Sequence, residues 1–431
     1  MLSKYSHLLR NNRDYRFLWL GFLVSQIGDW FNLIASASLV AELTESGTQL
    51  SLLFLARFLP LFVMSPFAGV ISDRFDRRHV MIISDILRAL TIVGLMFIRD
   101  ESMIWMFYVL TAAQFSLTAL FLPARSAAMS NIVKQDELVT ANALDSVTWS
   151  TTLAFGTLLG GLATAFFGVT TAFVLDIGTF LLSAWFISRI SAKAIAPTGE
   201  EEKSQGGFAE IAGGFSFLWG AKLMLAIALV KATGSLVYGA INVLEISVAE
   251  DIYPLVFDYT FRGQAQTVGE GGTLTLTLFY LVAGIGTGIG PVVLQHWLGE
   301  TEKALRWGIL LSFILMSIGL IGMAFDFGLT WFLGASLFRT LGSGTLWVFS
   351  AALLQILVPD HVRGRVFAFE FAALTLTQSI SIWIAGWFQD NLGVSLFEVM
   401  GIFAVISVLV TIYWAWFYFA YRKRPLVQVA G

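Results

Sequence analysis

The chain has 431 residues, 57% hydrophobic and 13% charged, with a mean hydropathy of +0.77; ordinary soluble domains carry roughly 25% charged residues. A soluble fold cannot hide that much apolar surface, whereas a bilayer can. The absence of cysteine excludes disulfides, iron–sulfur clusters and thiol catalysis, and the net charge of −3 says little, because membrane proteins are read by where their charges sit.

The first apolar stretch runs from Phe17 to about Val40. It is longer than the apolar region of a signal peptide and lacks a small-residue cleavage site, so it reads as a retained first span. Crossing about 30 Å of hydrocarbon takes about 20 mostly apolar residues. Such stretches recur twelve times, at 17–41, 48–71, 79–98, 102–123, 140–166, 169–190, 222–247, 273–297, 304–323, 328–357, 365–389 and 393–421.

With the N-terminus in the cytoplasm, twenty Lys and Arg fall in cytoplasmic segments and only Arg99 and Arg262 in outer loops. That asymmetry predicts an even number of spans with both termini cytoplasmic. The connection 191–221 contains Pro197, Gly199, an acidic run from Glu200 to Glu202, and Gly206–Gly207. It reads as a linker between an N-terminal half, 1–190, and a C-terminal half, 222–431. The outer stretch 249–272 reads as a surface loop, with a lid as the alternative.

Sliding the chain on itself by 225 residues aligns Pro66 with Pro291, Asp145 with Glu370, Gly161 with Gly386, and Gly168 with Gly393. A parallel duplication of six-helix units has this signature.

Several chemistries are missing. There is no Gly-Lys dipeptide, hence no P-loop. The four histidines, His7, His79, His296 and His361, lie in or beside cytoplasmic segments and form neither a zinc motif nor a midmembrane relay. The series Gly284–Gly286–Gly288–Gly290 lacks the spacing of a nucleotide loop and lies inside an apolar span, where small residues let helices approach closely.

After the second span stands Gly69-Val-Ile-Ser-Asp73-Arg74-Phe-Asp76-Arg77-Arg78. It resembles the G-x-x-x-D-R-x-x-R-R signature of the major facilitator superfamily. The resemblance implies an all-α membrane protein of twelve transmembrane helices in two six-helix bundles around a central cavity. It also implies a gating motif of Gly69, Asp73, Arg74, Arg77 and Arg78, in which Asp73 meets the N-terminus of the eleventh span and holds an outward-open state; a carboxylate is favoured at a helix N-terminus. The place after the eighth span, 295–306, lacks the motif. The stretches Phe17–Trp30, Ser84–Leu90 and Pro123–Ala127 are similar to the macrolide-efflux and enterobactin-exporter branch.

Four cations fall inside predicted spans: Arg57, Arg88, Lys231 and Arg339. The acids there are Asp29, Asp85, Asp145, Asp176, Glu245 and Glu370. Charges at bilayer depth should face the bundle interior or water. Asp29, Arg57, Lys231 and Arg339 sit deepest and are the candidates for a cavity or for proton coupling, with buried structural pairs as the alternative. Asp29 lies about twelve residues, or ~18 Å, into the first span; its alternative role is a permanent salt bridge to Arg57. Asp85 and Arg88, three apart on one helix, can pair locally. Asp145 and Glu370 suit helix N-termini, and Asp176 and Glu245 are placed toward the outer side, where they reach water. Trp30, Phe31, Phe115, Trp149, Tyr238 and Trp347 are candidates for an amphipathic-substrate pocket, with lipid contact or packing as the alternative.

The expected function is secondary active transport: export of a hydrophobic or amphipathic small molecule by alternating access, driven by proton antiport. The direction comes from the resemblance alone. The alternatives are export of a lipid-like or siderophore-like molecule and, in another class, a non-transporting membrane receptor or assembly factor. No catalytic constellation emerges. The expected partners are a small-molecule substrate, protons and the lipid bilayer, with no nucleic acid, cofactor or metal. A monomer in a bacterial cytoplasmic membrane is expected.

Overall fold

The computed structural model describes residues 2–44, 46–134, 137–191, 208–261, 264–269, 272–299 and 301–421. The first part of the predicted linker, from 192 to 207, and the C-terminal ten residues lie outside this set. In hydrocarbon every backbone N–H and C=O must find its partner within the chain, and a helix does this within one segment. The apolar stretches accordingly form long helices.

A short helix α1 (Leu2–Asn11) precedes α2 (Arg13–Thr44), α3 (Gly47–Arg74), α4 (Arg77–Leu95) and α5 (Ile104–Ile132). Then come α6 (Leu138–Thr151), a π turn at Thr152–Gly156 and α7 (Thr157–Ser188). The second set comprises α8 (Phe208–Gly220), α9 (Lys222–Ala228) and α10 (Val230–Ser247). It continues with α11 (Thr273–Leu298), α12 (Glu302–Met323), α13 (Leu329–Leu357), α14 (Asp360–Asn391) and α15 (Leu396–Tyr421). Between α10 and α11 the strands β1 (Phe257–Phe261) and β2 (Gln264–Val268) form an antiparallel hairpin that pairs Phe257 with Val268. The stretch expected to be a plain loop thus carries a hairpin. Part of the stretch read as linker is helical too, as α8.

Ten helical stretches among the described residues are long and apolar enough to cross a membrane. One of them, Thr140–Ser188, has 49 residues, about 74 Å at 1.5 Å per residue and more than twice the depth of the hydrocarbon. It is broken at Gly168, whose φ of 81° and ψ of 164° are not helical. The break falls in the predicted gap between 166 and 169. Gly393, its repeat-mate, also has positive φ, 61°; both glycines supply a turn that a Cβ would strain. Helix α4 is not among the ten. Its 19 residues include Arg77, Arg78, Asp85 and Arg88, too many charges for a segment recognised by hydropathy.

In the first set α2 packs on α7, and α3 and α4 pack on α5. In the second, α12 packs on α13 and α15, α10 on α14, and α11 on α13. The sets meet where α3 packs on α14 and α7 on α11. A Cβ on Gly161 would meet Thr277 of α11, and one on Gly386 would meet Ser51 of α3; each glycine lets its helix touch the opposite set. Within α11, Gly284 and Gly288 face Ala154 and Ser150 of the first set, whereas Gly286 and Gly290 face Thr340 and Leu341 of α13. The glycine series thus serves two helix contacts on two faces.

Candidate functional site

The loop motif sits at one end of the bundle, the motif end. Gly69 and Asp73 lie on the last turns of α3, but their side chains are outside the described residues; Arg74 is exposed. Asp76 caps α4 by accepting from the amides of Arg78 and His79 at 2.8 and 3.2 Å, satisfying two of the free donors of a helix start. Arg77 is almost wholly buried and donates to the carbonyl of Ala127 at 3.3 Å. Arg78 donates to the carbonyl of Ser188. These two arginines bind the ends of α5 and α7 to α4, so they brace the first set internally.

At the opposite end α14 touches the start of α3. Asp390 accepts from Ser46 Oγ at 2.8 Å and from the backbone amides of Gly47 and Thr48, both at 3.0 Å. A carboxylate there meets both free amides and the positive end of the helix dipole. Ser51 Oγ donates to the carbonyl of Ile382 at 2.9 Å, and the hydroxyls of Ser38 and Thr273 lie 3.3 Å apart. The molecule is closed at this end. Sequence reading missed Asp390, since a lone acid at a span end looks like solvated surface.

Between the ends lies an aromatic wall shared by both sets. Trp30 stands 6.3 Å from Trp149 and 6.4 Å from Tyr280, ring centre to ring centre. The π turn at 152–156 brings Gly156 against Trp30 and Ala154 against Gly284 of α11; such turns often mark functional sites. Arg57 lies over the ring of Phe115 at 4.4 Å and Lys231 over that of Trp347 at 4.5 Å. Phe31 is buried in helix packing against Gly160, and Tyr238 packs partly buried against the main core. Tyr280, unmarked by any motif, joins the wall through tertiary packing alone.

The buried charges fall into two groups. In the second set Lys231 Nζ is 3.1 Å from Glu370 Oε1, and Arg339 is 2.7 Å from Glu245 Oε1, which also accepts from Ser336. All four of these charged residues are buried. In the first set Asp85 pairs with Arg88 on α4, as the spacing predicts. Arg125 binds Asp145 through two bonds of 2.8 and 2.7 Å, a bidentate geometry. Asp145 and Glu370 are therefore both ion-paired rather than placed for a helix N-terminus alone.

Asp29 and Arg57 do not form an ion pair. Arg57 donates to Asn32 Oδ1 at 3.1 Å and to the main-chain oxygen of Asp29 at 3.5 Å, leaving the Asp29 carboxylate aside. Asp176 and Glu245, expected to reach water, are 0% and 3% exposed. Helix α7 turns Asp176 inward against α2: a Cβ on Gly28 would lie 2.3 Å from its Oδ1. Hydropathy gives depth along a span but not which face of a helix a residue takes, so the sequence did not place Asp176.

The family model of the Major Facilitator Superfamily matches residues 18–369. The chain belongs to this superfamily. It is a multi-pass membrane transporter and not an enzyme. This major facilitator chain is 28% identical over 410 residues to an uncharacterised transporter of the same type, YfiS of Bacillus subtilis (strain 168), covering 94% of each. It is 25% identical over 365 residues to the putative bacilysin exporter BacE of that strain, covering 85% of the chain and 86% of BacE. The multidrug efflux pump Tap of Mycobacterium tuberculosis is 27% identical over 243 residues, covering 53% of the chain and 57% of the pump. Among solved structures, a mutant of the nucleoside transporter NupG superposes with a TM-score of 0.72 at 11% identity, over 94% of this chain and all of that one. A likeness of that kind carries the fold alone.

Proposed function

We propose that the chain is a proton-coupled exporter of a hydrophobic or amphipathic small molecule. It works by alternating access between two six-helix halves, 1–190 and 222–431, joined by the connection 191–221. Twelve spans follow from dividing Thr140–Ser188 at Gly168 and from admitting α4, whose Arg77, Asp85 and Arg88 are buried. On the basic-residue asymmetry we read both termini and the motif end as cytoplasmic in a bacterial cell, with Asp390 at the outer face. On this reading the closed end is the outer gate, and a single chain carries the whole transport path.

The observation that carries the reading is the wall of Trp30, Trp149 and Tyr280, contributed by both halves beside the unpaired carboxyl of Asp29. Aromatic faces suit apolar and cationic amphipathic molecules, and an acid at that depth can exchange a proton for a substrate as access alternates. Export is supported by the efflux names of BacE and Tap, two of the similar proteins. The test is flux in proteoliposomes with an imposed proton gradient and a panel of amphipathic dyes. Gradient-driven accumulation of a dye that collapses with a protonophore is expected. Movement indifferent to the gradient, or none for any dye, overturns the reading.

A further inference from the structure

Among the described residues of the second set the buried charges balance: Lys231 answers Glu370 and Arg339 answers Glu245. The first set does not balance. Among the described residues, the charged groups around Asp29 and Asp176 are Arg57 of α3, Asp85 and Arg88 of α4, and, as a titratable phenol, Tyr280 of α11. Three carboxyls thus face two guanidinium groups. Arg125 offers no relief, because Asp145 engages it in both bonds. A carboxylate in excess within an apolar interior is costly enough that the group takes up a proton instead.

The geometry says where the excess lies. Asp85 has Arg88 as a direct partner. Asp176 is wholly buried, and its carboxyl meets neutral hydrogen-bond partners, the hydroxyl of Thr179 at 3.2 Å and the side chain of Asn32, with no ion pair among the described residues. Asp29 Oδ1 is buried without a partner. Gly28, the residue before Asp29, abuts the Asp176 carboxyl, and the charge of Asp29 acts on Asp176. Asp29 is the more accessible of the two.

We infer that Asp29 and Asp176 form a carboxyl pair that holds a single proton between α2 and α7, with Asp29 as the member facing the transport path and Asp176 as the member behind it. The pair deepens the proposed function and rests on it for its role: the shared proton is the one exchanged for substrate. When the path opens and Asp29 is hydrated, both carboxyls ionise and the proton leaves through Asp29. When the path closes, burial restores it. The step moves one proton and breaks no other bond.

Infrared difference spectroscopy of the full chain in lipid, between neutral and strongly alkaline pH, reads the carbonyl stretch of a protonated carboxylic acid. We expect one such band that disappears in Asp29→Asn and in Asp176→Asn, since a single remaining carboxylate is balanced by Arg57. The band should move in Asp176→Glu and stay in place in Asp85→Glu. The wild-type spectrum needs no variant, and Asp176→Glu keeps the carboxyl if Asp176→Asn does not assemble. No band in the wild type, a band that survives Asp176→Asn, or a band that moves only with Asp85→Glu each overturns the pair. If the band behaves as expected while a pH gradient drives no transport, the pair stands and the antiport reading falls.

Discussion

Helices α9–α15 bury Lys231, Arg339, Glu245 and Glu370 as two closed ion pairs, whereas α2–α7 bury a cluster in which Asp29, Asp176 and Arg57 make no ion pair with one another. Both arrangements lie inside predicted spans, so placement in a span alone does not dictate them. A closed pair fixes two helices and has no use for a proton. An open cluster leaves a carboxyl whose charge can change with hydration. On the proposed reading the contrast assigns rigidity to the closed pairs and titration to the open cluster, which only the first set has among the described residues, and three measurements can break or sharpen it.

The largest effect is expected in the closed pairs. Removing one partner leaves the other charge buried alone, which costs about 3–5 kcal/mol. Lys231→Met and Glu370→Gln should each lower thermal stability in detergent by an amount of that size, and the double variant should recover most of it. If Asp176 shares the inferred proton, Asp176→Asn should cost under about 1 kcal/mol, because an amide then replaces a neutral carboxyl of the same shape in a partly satisfied site. If Asp176→Asn proves as damaging as Lys231→Met, the distinction between the two regions fails.

The transporter fold was legible because each span is a long apolar run, and because the Gly-x-x-x-Asp-Arg motif and the charge asymmetry come in sequence order. The Gly168 break was legible too, since a lone glycine between two apolar runs marks a turn. What stayed hidden was rotation about the helix axes. Depth made Asp176 and Glu245 look outer and wet, but the faces of α7 and α10 turn both inward, Glu245 toward Arg339 and Asp176 toward Gly28. Asp390 was hidden for a related reason: its partners, Ser46, Gly47 and Thr48, lie more than 340 residues away in the chain. The Asp29–Arg57 bridge, natural from two opposite charges on adjacent spans, gives way to Asn32, which lies nearly one turn further along α2 and takes the guanidinium.

The next effect separates contacts within a half from contacts between halves along α11. A Cβ on Gly290 would lie 2.3 Å from the main-chain oxygen of Leu341, which cannot move without shifting α13, whereas a Cβ on Gly288 would find its nearest neighbour at 3.6 Å. Overpacking of this kind costs typically ~1–3 kcal/mol. Gly290→Ala should lose that much stability in thermal unfolding, and Gly288→Ala should be near neutral. Gly284→Ala, aimed at the backbone of Ala154 in the other half, should act on access: chemical labelling of a cysteine placed at the closed end should rise while each half keeps its own stability. Equal losses for Gly288→Ala and Gly290→Ala would show that the halves yield along α11 as a single soft surface.

The smallest effect concerns the two ends of α3, each of which carries or meets a carboxylate. At its start, Asp390 of α14 receives two backbone amides and the Ser46 hydroxyl; at its end stands Asp73, whose expected partner is the start of α14. A charge at an exposed helix terminus contributes about 0.3–1 kcal/mol, so losing either shifts a two-state equilibrium roughly two- to fivefold. The signs are opposite. Asp390→Asn weakens the end that is closed in this structure and should favour opening there. Asp73→Asn weakens closure of the motif end and should favour opening on that side. Spin-label distances across each rim read both, and the double variant should return near the wild-type distribution, because each change removes one side of the same balance. The expectation is specific to a rocking motion about a shared interface: a helix that merely frays would widen one rim and leave the other alone. If both variants widen the same rim, or if Asp390→Asn leaves the distances unchanged, Asp390 caps α3 without gating. The asymmetry of the transporter would then reside in its buried charges alone.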